Sequence, residues 1–197
     1  MMNKKMVLGI TLMVMAVLLV LSIVGCSGKK SDGSTSNRSI FANKSDPETD
    51  FRAEPIDGGK GVAITGYVGS KWEISIPSKI QNIPVTQIGK RAFRGKSLVS
   101  VTIPNSVTSI GEEAFENNQL TSITIPKSVI YIEDYAFGSN PIISVTIGPN
   151  VEFEGEERGA DYNEAFDEGL VELYIRGGKS AGTYTRPNAN SETWTKK

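Results

Sequence analysis

Histidine is absent from this 197-residue sequence, and cysteine appears once, as Cys26. Without imidazole there is no side chain that ordinarily titrates near neutral pH, no Ser-His or Cys-His nucleophile pair, and none of the commonest metal ligand. A lone cysteine gives no intrachain disulfide frame, so packing must hold whatever folds. An excess of one charge is missing too: 21 Lys and Arg face 22 Asp and Glu. That balance exerts no long-range pull on nucleic acid or an anionic membrane. Carboxylates, lysines, tyrosines and hydroxyls are what remain for chemistry.

Those remnants form no catalytic constellation. Gly178-Lys179-Ser180 imitates the end of a phosphate-binding loop, but Leu173 occupies the place of the glycine needed five residues earlier. Eight carboxylates against one arginine crowd the segment 152–168. Asp161 and Asn163 begin like a calcium loop, yet Ala165 and a missing glycine break it. Nothing in that stretch places two carboxylates across a cleft for glycoside hydrolysis. It reads as a solvated acidic loop, and neither an enzyme, a metal site nor a cofactor is expected.

The one long apolar run lies at the start. Lys4 and Lys5 precede an uncharged stretch from Met6 to Val24, which leads into Ile23-Val24-Gly25-Cys26. An aliphatic residue three places before a cysteine, a small residue beside it and a polar switch after it resemble a bacterial lipobox. There the cysteine is lipidated and becomes the new N-terminus. The run is also long enough to span a bilayer, so an uncleaved anchor competes with that reading. Under either, the remainder is exported and tethered. Residues 1–25 are expected to be a lipoprotein signal peptide and Cys26 the lipidation site. Ser27 stands where some bacteria read an Asp as an inner-membrane retention signal, which favours the outer membrane or cell surface. From Ser27 to Asp50, Ser, Gly, Asn, Lys and Asp predominate, too few apolar groups to offset ordering entropy. Residues 26–50 are therefore read as a flexible tether with a reach of roughly 25–30 Å.

A 22-residue repeat dictates the rest. Leu98-Val99-Ser100-Val101-Thr102-Ile103-Pro104 returns as Leu120-Thr121-Ser122-Ile123-Thr124-Ile125-Pro126 and again as Ile142-Ile143-Ser144-Val145-Thr146-Ile147. Downstream, Val107, Ile110, Ala114 and Phe115 map onto Val129, Ile132, Ala136 and Phe137 at the same 22-residue spacing. An earlier copy, from Ile74 to Phe93, carries five extra residues around Gln81 to Pro84. Alternation of Val101 and Ile103 with Thr102 is the period of a strand with one buried face. The following proline ends it. Ala114-Phe115 reads as a short helical turn whose ring fills the coil centre. About seven apolar side chains per copy cannot close a core alone, so the copies must stack. Asn118 and Asn140 are expected to ladder along the stack, bonding loop backbone.

These residues resemble the BspA-like leucine-rich repeat family, whose pattern runs L-x-x-I-x-I-P, V-x-x-I-G, then A-F followed by Asn or Cys. The resemblance implies a β-rich, right-handed leucine-rich repeat solenoid, with short parallel β-strands on one side and short helical turns or coil on the other. It also implies a bacterial surface or secreted protein that binds host or neighbouring-cell proteins. This array departs from the pattern in being short and in placing Lys96 where the first Asn belongs.

An N-terminal cap is expected over 51–73, repeats over 74–151, and an acidic loop with a C-terminal cap over 152–197. In the caps, Ala63–Tyr67 and Lys71–Ile74 read as strands, as does Leu170–Arg176, and Tyr184 or Trp194 is expected to cover the last coil. Lys90, Arg91 and Arg94 fall opposite Glu112, Glu113 and Glu116 one repeat on, which favours inter-coil pairing over a basic ligand patch. On the strands, Ser100, Thr102, Ser122, Thr124, Ser144 and Thr146 should point outward as two hydroxyl columns, the expected ligand-binding surface. The functional expectation is a non-catalytic adhesion or interaction module, held to the membrane through Cys26, whose partner is a host matrix or envelope protein. The alternative is a structural envelope spacer with no discrete ligand.

Overall fold

Alternation makes the strands, and the 22-residue spacing stacks them. In the computed structural model, which describes residues 45–155, 165–166 and 169–197, Val101, Ile123 and Val145 are buried at the centre of their strands. The leader, Cys26, most of the tether, Asp161 and Asn163 lie outside the described residues.

The chain enters through an antiparallel hairpin of β1 (Phe51–Ile56) and β2 (Gly61–Tyr67), followed by β3 (Glu73–Ser75). The five-residue insertion forms a second hairpin, β4 (Lys79–Ile80) with the start of β5 (Ile83–Ile88). Gln81 and Asn82 occupy its tip at φ 51° and 65°, the left-handed pair that a two-residue hairpin turn requires. Each later coil contributes two short strands: β6 (Ser100–Thr102) and β7 (Ser109–Ile110), β8 (Ser122–Thr124) and β9 (Tyr131–Ile132), β10 (Ser144–Ile147) and β11 (Glu152–Phe153). Helix α1 (Leu170–Arg176), β12 (Gly182–Thr185) and β13 (Thr195–Lys196) close the chain.

Two strand columns result. One sheet runs β1-β2-β5-β7-β9-β11. The other column holds the β3-β6 pair and the β8-β10-β12-β13 sheet, with β6 lying against β8. Parallel registers keep the repeat: Ser100 on Glu73, Ser144 on Ser122, Ile110 on Ile88 and on Ile132. The side expected to hold only turns and coil thus carries strands as well.

The Ala-Phe steps are not helical. Each is a pair of successive turns, closed in the second coil by Ala114 N–H to the Gly111 carbonyl (3.1 Å) and Glu116 N–H to that of Glu113 (3.2 Å). Glu113 is left-handed at φ 55°, as are its counterparts Arg91 (58°) and Tyr135 (56°). The cause is where the N–H groups go. Glu113, Phe115 and Asn117 donate to Asp134, Ala136 and Gly138 of the next coil at 3.0, 2.7 and 3.0 Å. A helix would have consumed those donors internally. The cost of left-handed backbone, about 1–2 kcal/mol per residue, is offset by these inter-coil bonds.

Inside, Phe93, Phe115, Phe137 and Phe166 stack along one line, with successive centroids 4.9, 5.2 and 4.8 Å apart and ring planes within 10°. Ala165-Phe166 is a further Ala-Phe step, displaced by the acidic insertion, and Phe137 N–H still reaches the Ala165 carbonyl at 2.8 Å. The asparagines do what the repeat requires. Asn118 Nδ2 donates to the Phe93 and Phe115 carbonyls, each at 2.8 Å, and its Oδ1 accepts from Lys96 and Leu98 N–H at 3.0 Å. Asn140 repeats this one coil on, from Phe115 and Phe137 to Leu120.

Both ends differ from the strand-only expectation. Leu170–Arg176 is a helix, because Leu170, Val171 and Tyr174 meet the core at helical spacing and override their β-forming composition. Gly169 permits its start: φ is 89°, and a Cβ there would lie 2.6 Å from the Glu192 carbonyl. Tyr174 Oη donates to the Gly148 carbonyl (2.7 Å) and accepts from Val151 N–H (3.0 Å). Tyr184 and Trp194 are both buried, with the Arg186 guanidinium 4.9 Å above the Trp194 ring. At the other end, residues 45–50, expected in the tether, lie against the first coil. Asp46 is buried, its N–H donates to the Ser75 carbonyl (2.8 Å) and its carboxylate accepts from Ser75 N–H (2.7 Å).

Truncating the middle ring removes a contact on both sides. Phe115→Ala should lower the unfolding free energy by about 3–5 kcal/mol, read by urea denaturation. Ile130→Ala, at a side chain 62% exposed, should change it by under about 0.5 kcal/mol.

Candidate functional site

Strand alternation drives Val and Ile into the coil and leaves Ser and Thr outside, so the predicted columns assemble on one sheet. Ser100, Thr102, Ser122 and Thr124 are exposed; Ser144 and Thr146 are half-buried. The difference comes from β12, which runs antiparallel beside β10 and sets Thr185 against Ser144 and Thr183 against Thr146. The hydroxyls of Thr146 and Thr183 are 2.9 Å apart. The columns therefore begin at Glu73 and Ser75, continue through three coils, and end on β12 and β13. Thr183 and Thr185 flank the buried Tyr184 in β12, and nothing local announces that this strand runs antiparallel to β10.

A row of larger groups borders the strand starts. Val99 N–H donates to the Trp72 carbonyl, Ile143 N–H to that of Thr121, and Arg186 N–H to that of Ile143, at 2.8, 2.9 and 3.0 Å. Trp72 is 68% exposed, and Val99 and Ile143 are also exposed. At the far end of this row, an open cleft of about 450 Å³ lies among Ile143, Thr185, Arg186, Pro187, Thr195 and Lys197. The Lys71–Ile74 pattern places Trp72 in a strand, whereas β3 begins at Glu73 and leaves the indole outside it.

Away from this face the charges are spent on register. Lys90 pairs with Glu112, Arg91 grips Glu113 with two bonds of 2.7 Å, and Arg94 reaches Glu113 (2.7 Å) and Glu116 (2.6 Å). The basic cluster is thus committed to the next coil. The Arg91 hydrogen bond, aided by the charges of Arg91 and Arg94 and opposed by desolvation, holds the Glu113 carboxyl at about 2, below its ordinary 4.5. Asp46 is also held low: burial pushes it up, but the Lys71 ammonium and the Ser75 N–H together outweigh that. Among the described residues, no group of three or more His, Cys, Asp or Glu is placed to hold a metal. No described helix is long and apolar enough to cross a membrane.

A depressed carboxyl pKa stabilises the fold above the unfolded value and loses that contribution as pH falls through the folded one. Glu113→Gln should therefore destabilise the chain at pH 7. Its deficit against the parent should shrink from about pH 4.5 down to about 2, as read from urea midpoints across that range.

Parts of this chain are similar to known sequences. Residues 70–157 match the BspA type leucine rich repeat region in six copies. A leucine-rich repeat protein of T. pallidum is 29% identical, over 55% of this chain and 55% of that one, with a TM-score of 0.45. One from Bacteroides capillosus is 28% identical, over 45% of this chain and 70% of that one, with a TM-score of 0.38. The chain thus spans about half the length of the T. pallidum protein. No curated protein matches it. The repeat pattern, the stacked coils and the family match agree: residues 70–157 of this chain are a leucine-rich repeat region of the BspA type.

Proposed function

We propose that this chain is a non-catalytic protein-interaction module, anchored to the bacterial membrane through Cys26 and displayed outside the cytoplasm, with the Ser/Thr face as its contact surface. The carrying observation is the state of the hydroxyls. Ser100, Thr102, Ser122 and Thr124 are exposed, and their hydroxyls carry no hydrogen bond within the described residues. On the other side of the coil, Thr108 Oγ1 donates to the Thr86 carbonyl (3.0 Å) and Ser106 Oγ to that of Ser78 (3.1 Å). Hydroxyls that hold the stack are thus separate from hydroxyls left to a partner. Leucine-rich repeats generally serve as protein-binding scaffolds, and no enzyme family is indicated. The leader and the lipobox-like Ile23–Cys26 support the anchored, exported reading. The partner class is a host matrix or envelope protein.

A photo-cross-linking residue at position 122 of the full chain, on intact cells, should capture a protein partner, while one at the exposed Lys60 should not. Equal capture at both positions, or none at 122 on a displayed chain, contradicts the assigned surface. Metabolic labelling with a fatty-acid analogue should tag the parent chain and not Cys26→Ser; an untagged parent chain in the membrane fraction argues for an uncleaved anchor.

A further inference from the structure

The same face also fits a second copy of this chain, which competes there with a host or envelope partner; this rests on the reading that the Ser/Thr face is a contact surface. Three features of that face complement each other. The first is a protruding corner at the β3 end, where Trp72 is 68% exposed and Glu73 beside it is exposed. The second, at the β12–β13 end of the same row, is the open cleft of about 450 Å³, with Ile143 and Pro187 as apolar walls, Lys197 as a cation, and no acidic side chain; the buried Arg186 guanidinium beside it is spent on the Ile142 and Ser191 carbonyls and the Trp194 ring. Between them lie the hydroxyl columns, each group both donor and acceptor, and so able to pair with a copy of themselves.

A two-fold axis lying in the contact plane and parallel to the strands reverses the strand order and keeps the strand starts together. It therefore brings the Trp72 end of the row over the cleft end. The same operation lays hydroxyls on hydroxyls and the Glu73 carboxylate beside the Lys197 ammonium. Self-complementarity of this kind is what an isologous contact demands. We propose that this face pairs two copies of the chain antiparallel, the Trp72-Glu73 corner of each seated in the cleft beside Ile143 and Lys197 of the other.

Six strands at about 4.8 Å spacing give a face roughly 24 Å long, and each seated indole adds roughly 150–250 Å². A contact of this extent stands at the small end of specific interfaces. A buried tryptophan at its corner is the kind of residue that dominates such a contact.

Sedimentation equilibrium of the full chain in non-ionic detergent, from about 1 to about 200 µM, tests this. A monomer–dimer equilibrium is expected, weakened about tenfold or more by Trp72→Ala, with the thermal midpoint unchanged at the dilute end where the chain is monomeric and the side chain exposed. Glu73→Lys should weaken it as well, and Glu73→Lys with Lys197→Glu should recover it. A chain monomeric throughout, or a dimer indifferent to Trp72→Ala and to the charge exchange, overturns the proposal. If the monomeric chain still cross-links a different protein from position 122, the interaction reading stands and the self-pairing falls. Failure of both removes the face from function.

Discussion

Phe115 is covered on one side by Phe93 and on the other by Phe137, both within about a ring's van der Waals reach, and no coil supplies a cover of its own. That dependence organises the molecule. A turn of 22 residues has one aromatic ring and a few aliphatic groups for its centre, and burying them needs a neighbour on each face. The ends obey the same constraint. Phe51 and Tyr67 close over Phe93 at 6.2 and 5.9 Å, and Phe153 and Tyr174 extend the aromatic line beyond Phe166.

Backbone chemistry follows from it. Because N–H groups at the Ala-Phe steps are needed by the next coil, the chain turns through left-handed residues instead of a helical winding. The carbonyls so exposed are collected by buried asparagine amides. The stack is therefore held three times at one corner, by rings, by backbone bonds and by the Asn118–Asn140 ladder. The charged column from Lys90 to Glu116 adds register. Outside this corner, Ser100, Thr102, Ser122 and Thr124 stand exposed on the strand face.

Much of this was legible. A period of 22 with Ile-Pro, Ala-Phe and Asn at fixed offsets specifies a stack, its interior and its amide ladder, because each residue type has one physical job there. Opposite charges one period apart predicted the Lys90–Glu112, Arg91–Glu113 and Arg94–Glu116 pairs. Non-periodic segments resisted. Leu170–Arg176 has a strand's composition, and only its burial against the last coil selects the helix. Residues 45–50 have a tether's composition, yet one carboxylate, Asp46, docks them to Ser75. Of the six hydroxyl positions, Ser144 and Thr146 turned out half-buried because β12 lies alongside, a strand order that local patterning does not encode. The Trp72 corner and the cleft near Lys197 arise from chain ends brought to one face by the stack.

Native-state hydrogen exchange at the Phe93, Phe115 and Phe137 amides, each donated to the following coil, reads the shared interior directly. If no coil holds its core alone, the three amides exchange with one common free energy equal to that of global unfolding. Three separate values, each well below the global one, would mean that the coils open independently and that the common interior is not what keeps the chain folded.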